Sequence, residues 1–351
     1  MNKLEEILKD EPKYRLKQAK QAVFRDLVDD WKKVKGLPLE LRKRLANACP
    51  LAINGTIMSS DFGGDTMKAV IQVDGGYMIE SVLMRHEGDD EGKGKRNTVC
   101  VSSQVGCPMG CKFCATGAMG FRRNLKPLEI VEQVVFFGRL LKDKNERVSN
   151  IVFMGMGEPF MNYDNVLAAV RLLNDKDGLN IGARKISIST CGIVEGIEKL
   201  ADENIQVNLA ISLHAPDTDL RSALMPVNRK YALSEVLEAV DHYIAKTSRQ
   251  VMFEYLLLDG VNDTEEHARK LAEIMNKPLY FVNLIVFNPS GREVPEGLKG
   301  LSKKKKMSPP SSLAVRRFKE VLVDYGVPAS QRYRFGRTIK AACGQLVFDK
   351  N

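Results

Sequence analysis

Apolar residues recur at helical spacing through residues 2–48. They do so in LEEIL, in AVFRDLVDDW and, after a Gly-Leu-Pro break, in LPLELRKRLANA. This predicts a small helical unit. Residues 50–100 change period: AVIQV (69–73) and YMIESVLM (77–84) are short strand-like runs around Asp-Gly-Gly, a hairpin signal. The polar, Gly-rich EGDDEGKGKRN (87–97) reads as a loop. From about residue 100 the rhythm is regular. TVCVSS is strand-like and PLEIVEQVVFFGRLL is an amphipathic helix. Strand and helix then alternate through SNIVFMG, YDNVLAAVRLLN, KISIST, VEGIEKLADE, VNLAISL, LSEVLEAVDHYIA, VMFEYLLL, EEHARKLAEIM and LYFVNLIVF. The helix SLAVRRFKEVLVDYG and a last strand around RYRF follow. The strand runs are short, β-branched and almost continuously apolar, as parallel strands buried on both faces are. About six β/α units predict an α/β chain with a partial (β/α)6 barrel, short of the eight units that close one. Functional residues then belong at the C-terminal strand ends. The expected organisation is a helical unit at 1–49, a linker and β-hairpin extension at 50–99, a core at 100–345 containing a basic loop (291–312), and a tail at 346–351.

Charge sharpens this picture. The 351 residues carry 53 Lys+Arg against 44 Asp+Glu, a formal charge of +9. Residues 1–50 hold a net +5 and residues 291–340 a net +9, so the middle is mildly acidic. Basic ends point to a polyanion partner. Lys303 to Lys306 sit in a Pro/Gly/Ser-rich stretch, 289–312, that reads as a mobile loop, either a solubilising linker or a phosphate contact. No apolar run of 18 residues marks a membrane span, and the charged N-terminus has no apolar signal core, so a cytoplasmic protein is expected.

Seven cysteines then carry the chemistry. Cys107, Cys111 and Cys114 form CxxxCxxC between a strand and a helix. Three thiolates so close in sequence can hold one metal centre. A structural zinc site wants a fourth ligand, and no second CxxC or HxxxH pair is present. Thiolates select zinc or iron–sulfur centres, and a four-iron cluster on three thiolates leaves one iron open. Further polar groups fall at strand ends: Gly157 and Glu158 in MGMGEP, Ser189 and Thr190, Ser212-Leu213-His214, and Asn288. Singly, each has a plain reading, such as a capping Glu or a structural His. Cys343 lies among small neighbours in AACGQL, where a buried thiol is the ordinary case. Cys49 and Cys191 match no motif and read as structural. Trp31 reads as core of the helical unit.

CVSSQVGCPMGCKFCATGAMGFRRNL, MGMGEP, ISLHAP and AACGQL, in that order, resemble the RlmN/Cfr family of radical S-adenosylmethionine (SAM) RNA adenine methyltransferases. The likeness covers nearly the whole chain, KYRLKQAKQAVF in the helical unit included. It implies a radical SAM barrel with a [4Fe-4S] cluster on Cys107, Cys111 and Cys114. It also implies two SAM per turnover, bound by Gly157, Glu158, Ser189, Ser212, Leu213, His214 and Asn288. Cys343 corresponds to the methyl carrier: a first SAM makes S-methylcysteine, and a 5′-deoxyadenosyl radical from a second activates that methyl for addition to the ring. Cys100 corresponds to the cysteine that helps remove the ring proton and resolves the adduct by forming a disulfide with the carrier. Glu80 aligns with a glutamate proposed as proton acceptor, although a strand Glu is ordinarily just solvated. The implied product is adenine methylated at C2 in RNA, at adenine 2503 of 23S ribosomal RNA and adenine 37 of transfer RNAs. An electron donor such as flavodoxin or ferredoxin is implied as partner.

One position departs from the family: Thr338 stands where relatives usually carry aspartate. Two alternatives stay open at this point. Cfr-like methylation at C8 shares every motif, and a zinc-dependent RNA-binding module without catalysis would use the same cysteines.

Overall fold

A computed structural model describes residues 2–61, 63–88, 94–298, 304–332 and 339–346. The chain opens with helices α1 (Asn2–Ile7), α2 (Lys13–Lys20) and α3 (Leu39–Ala48). Pro12 and Pro38 stand immediately before α2 and α3, where a missing N–H costs nothing. Leu8, Trp31, Leu37, Leu41 and Leu45 bury one another in a cluster separate from the main core. Trp31 is 1% exposed and donates its indole N–H to the Cys49 carbonyl at 2.7 Å. The helix expected over AVFRDLVDDW is not continuous. The chain widens into a π-type turn at Gln21–Arg25 and then reverses at Leu27, whose φ is +54°. Arg139 donates to the Val28 carbonyl and Lys142 to the Asp26 carbonyl, so contacts from the core helix set this bend.

Strands β1 (Gly55–Ser60), β2 (Thr66–Val73), β3 (Tyr77–His86) and β4 (Arg96–Cys100) form an antiparallel meander. The hairpin read from the sequence is β2–β3, turning at Gly75 and Gly76, both at positive φ. β1 was not expected. It is an outer strand whose residues alternate between half-buried and exposed, so little apolar signal marks it. β5 (Gln104–Gly106) and β6 (Phe121–Asn124) make a separate two-stranded ribbon that spans the cysteine motif and the short helix α4 (Ala115–Ala118).

From there the chain alternates. It runs through α5 (Pro127–Lys142), β7 (Asn150–Phe153), α6 (Tyr163–Asn174), β8 (Ile186–Thr190), α7 (Val194–Asp202) and β9 (Asn208–Ser212). It continues through α8 (Thr218–Leu224), α9 (Leu233–Thr247), β10 (Val251–Leu257), α10 (Glu265–Met275), β11 (Tyr280–Val286), α11 (Ser312–Asp324) and β12 (Ala329–Gln331). The large sheet has the order β1-β2-β3-β4-β7-β8-β9-β10-β11-β12 and is parallel from β4 onward. The six expected β/α units are all present. β12 adds a short parallel strand, and it lies just before the expected RYRF rather than on it. Arg332 follows it, its N–H donating to the Leu284 carbonyl at 2.9 Å, while 333–335 fall outside the described residues. The inner residues of β7 to β11, such as Ile151, Ile188, Leu209, Phe253 and Leu284, are at most 1% exposed. These five share one face of the sheet, while residues of the other face, such as Asn150, Ser187 and Asn208, are half-buried. The runs are thus fully buried on one face and mixed on the other, which the near-continuous apolar pattern did not predict.

The stretch read as a mobile loop is partly anchored. Val294 donates to the Lys305 carbonyl, Met307 donates to that of Arg292, and Val294, Leu298 and Met307 are buried. Lys304 pairs with Asp259 at 2.7 Å. Lys303 and Thr338 fall outside the described residues.

The ribbon β5–β6 depends on one glycine. Gly106 has φ +73°, and a Cβ there would stand 1.9 Å from the Gly120 carbonyl oxygen, which accepts from Cys107 N–H at 3.0 Å. Gly106→Ala is therefore expected to open the ribbon and speed proteolysis within 104–124. Cleavage at the wild-type rate would contradict this.

Candidate active site

The C-terminal ends of the parallel strands, the cysteine loop and the C-terminal segment enclose an open cavity of about 150 Å³. Cys107, Cys111 and Cys114 line it on one side. Their loop is fixed at both ends. Cys107 N–H reaches across the ribbon to Gly120, and Lys112 N–H donates to the Leu224 carbonyl of α8 at 2.9 Å. Burial pushes the Cys107 thiol up to about 12 and the Cys111 thiol upward as well, with neighbouring cysteines adding to the shift. Without a cation these thiols hold their protons, so a metal centre must displace them on binding. Among the described residues, no three His, Cys, Asp or Glu side chains converge on a single-ion site. A cluster asks less, because each thiolate meets a different iron. The trio around an open cavity fits that donor set.

Opposite the loop stand the strand ends. Gly155 and Gly157 follow β7. Gly157 has φ +104°, and a Cβ there would meet the Gln104 side chain at 2.6 Å, so no other residue fits. The Glu158 carboxylate reaches the cavity but is partly engaged: Oε1 accepts from Phe160 N–H at 3.0 Å and Oε2 from Cys191 N–H at 2.8 Å. It thus ties the turn after β7 to the end of β8. Burial raises its pKa, and those amide donors pull it back. Ser189 and Ser212 line the cavity from β8 and β9, while Thr190 turns away to cap Gly192 and Ile193.

His214 lines the cavity with its backbone at φ +58°. Its Nδ1 accepts from Leu256 N–H at 3.1 Å, which leaves the ring proton on Nε2. Its ring meets Phe113 edge-on at 4.9 Å. Burial lowers its pKa to about 3, and the nearby Arg221 charge acts in the same direction. Leu213 is fully buried and does not line the cavity; its backbone serves instead, accepting from Arg221 Nε.

A second chamber adjoins the first and is lined by Met84, Cys100, Asn288 and Ala342, with Cys343 and Arg332 facing both chambers. Two cysteines distant in sequence thus share one space. Asn288 belongs to this chamber rather than to the main cavity, and its Oδ1 is buried without a hydrogen-bond partner, so it is free to accept from a ligand. Burial pushes the Cys100 thiol up to about 12, with Cys343 adding to the shift and Arg332 opposing it. Glu80 is not the solvated strand residue the sequence suggested. It is 2% exposed and paired with Lys68 at 2.9 Å, on the sheet face it shares with Val82 and Cys100. It lines neither chamber.

The structure adds residues that the motifs did not single out. Cys191, read as passive, lines the main cavity. Glu254 on β10 also lines it, accepting from Asn283 at 3.0 Å with the Arg332 guanidinium 3.8 Å away. A charged residue inside VMFEYLLL was a readable signal for Glu254. Arg332 had none among the other basic residues of its segment.

The His214 shift has a testable sign. Its folded pKa, about 3, lies below the free value, so as pH falls from about 6.5 toward 3 the unfolded chain binds a proton that the fold refuses. Stability is lost over that window. His214→Gln is expected to flatten that part of the curve, read as urea midpoints at about pH 7 and 5. A slope equal to wild type would contradict it.

Comparison with known proteins is consistent with this geometry. Residues 101–272 match the Radical SAM superfamily. A "Probable dual-specificity RNA methyltransferase RlmN" from Dictyoglomus thermophilum is 43% identical over 96% of this chain and 91% of its own length. One of the same description from Bacillus cytotoxicus is 41% identical over 99% and 91%. The crystal structure of a radical SAM methyltransferase from Sphaerobacter thermophilus superposes with a TM-score of 0.87 at 42% identity, covering 98% of this chain and 96% of that one. With such relatives along nearly its full length, the chain belongs to the RlmN family of radical SAM RNA methyltransferases.

Proposed function

We propose that this chain methylates C2 of an adenine in RNA, with Cys343 as the methyl carrier and Cys100 as its partner. The observation that carries the reading is their shared chamber, opening onto the cavity ringed by Cys107, Cys111 and Cys114. When bound through those three thiolates, a [4Fe-4S] cluster with SAM supplies both a methyl donor and a radical initiator. Adenine C2 is electron-poor and has no lone pair to attack a sulfonium methyl, so a carbon-centred radical on the carrier is the workable route.

In this reading the chain's own residues do the following. Gly157, Glu158, Ser189, Ser212 and His214 hold SAM, with the Nε2–H of His214 and the unpaired Asn288 Oδ1 as polar contacts. Leu213 contributes its backbone position only. The Cys343 sulfur takes up the methyl group and later presents it to the base. Cys100 is protonated at neutral pH by burial and must lose that proton before it accepts one from the ring. Attack of the Cys100 sulfur on that of Cys343 then forms a disulfide as the Cys343 S–C bond breaks, its electron pair and the Cys100 proton passing to the carbon, which leaves as the methyl group of the product. Glu80, paired with Lys68, is a second candidate for the ring proton.

The substrate reading is adenine 2503 of 23S ribosomal RNA together with adenine 37 of transfer RNAs. Support comes from relatives described as dual-specificity RNA methyltransferases and from the basic ends. Phosphate contacts would come from the helical unit and from the 291–340 segment. The adenine must leave its stack to reach the chamber. An external one-electron donor, a flavodoxin or ferredoxin, is needed, and a reducing cytoplasm suits seven free cysteines.

Cys343→Ala is expected to abolish RNA methylation while leaving iron and sulfide content unchanged. Methylation retained in that variant would overturn the carrier role. Mass spectrometry of the RNA product is expected to give 2-methyladenosine; 8-methyladenosine would instead select the Cfr-like reaction. A colourless protein holding one zinc would return the non-catalytic reading.

A further inference from the structure

Arg221, on α8, is fully buried. Its guanidinium donates to Asn228 Oδ1 at 2.6 Å, to the Cys191 carbonyl at 2.7 Å, and to the Ser212 and Leu213 carbonyls at 3.3 Å each. All four acceptors are neutral. Among the described residues no carboxylate pairs with it. A buried cation held only by neutral acceptors is a costly arrangement, and a negative group placed nearby would offset that cost. Burial pushes this guanidinium below its ordinary value, and the groups that push it back up are the sulfurs of Cys191 and Cys111. The same helix receives the cysteine loop, through Lys112 N–H to the Leu224 carbonyl one turn beyond Arg221. Arg221 therefore lies behind the wall of the cavity in which the three cysteines stand.

We propose that Arg221 is the resident counter-cation of the iron–sulfur centre on Cys107, Cys111 and Cys114. It is a positioning residue whose charge favours uptake of the centre and eases its reduction. The inference rests on the reading of the three cysteines as cluster ligands. A cluster on three thiolates is net negative and gains a further negative charge on reduction. A fixed positive charge in a low-dielectric wall stabilises both states, and the reduced one more. Arg221 also fastens the ends of β8 and β9 with its hydrogen bonds, so charge and fastening must be separated. Lysine keeps the charge and gives up the planar fork; glutamine keeps an N–H donor and gives up the charge.

The test uses full-length protein reconstituted anaerobically with iron and sulfide. Metal content and the midpoint potential, from titration followed by electron paramagnetic resonance, are read for wild type, Arg221→Lys and Arg221→Gln. The glutamine variant is expected to be about tenfold harder to reduce, a midpoint lower by about 59 mV for one electron. The lysine variant should stay near wild type. A glutamine variant with the wild-type midpoint, or two variants shifted alike, would overturn the proposal. If the glutamine variant is folded by circular dichroism yet takes up no iron while the lysine variant does, the counter-cation role stands. If both fail alike, the residue is a fastener only. A wild type that binds neither iron nor sulfide would instead sink the cluster reading itself.

Discussion

Hydrogen bonds between the turn after Cys114 and the C-terminal segment decide where the chemistry can occur. Ala115 N–H donates to the Gly344 carbonyl at 2.8 Å and Thr116 Oγ1 to that of Leu346 at 2.6 Å. Gln345 closes the arrangement by donating to the Pro289 carbonyl at 2.9 Å beyond β11. These bonds carry Cys343 from the far end of the chain to the mouth of the sheet, facing the cysteine loop. The strand ends hold polar groups in place, but without this clasp the cavity would lack the Cys343 sulfur. Gly344, at φ +77°, lets the backbone turn there.

Burial then sets the electrostatics of the whole site. It raises the Cys100, Cys107 and Cys111 thiols and the Glu158 and Glu254 carboxyls, and it lowers His214. Each of these effects favours the neutral form. Against them stand two guanidiniums, that of Arg221 fully buried and that of Arg332 half-buried. Arg332 is flanked by Cys343, Glu254 and Cys100, and the Cys343 sulfur is the strongest influence holding it above its ordinary value. Arg221 has only neutral acceptors. With its thiols, carboxyls and histidine all biased to the neutral form, the site is poor in negative charge.

Much of this was legible in the sequence for physical reasons. Strands β7 to β11 bury one face completely, which leaves β-branched apolar residues along each run, and their ends announce where polar residues converge. CxxxCxxC needs no tertiary information to be read. The rest depended on packing. β1 sits at an edge with mixed burial and leaves no clear period. The bend at Leu27 is held by side chains from α5, more than a hundred residues away. Glu80 looked solvated because nothing local shows that Lys68 faces it on the neighbouring strand. Leu213 and Asn288 shared a strand-end pattern with the cavity residues, yet one turns inward and the other lines the adjoining chamber. Arg332 and Arg221 were hidden among ordinary basic residues, since only the fold reveals that Arg221 is buried and that Arg332 faces both chambers.

The account turns on Cys343 being the sulfur that accepts a methyl group. Peptide mapping by mass spectrometry of the reconstituted protein after incubation with SAM tests that directly. The account predicts one added methyl on the peptide containing Cys343 and none on those containing the other six cysteines. A methyl on Cys100 or Cys191 instead, or none on any cysteine of a protein that methylates RNA, would contradict it.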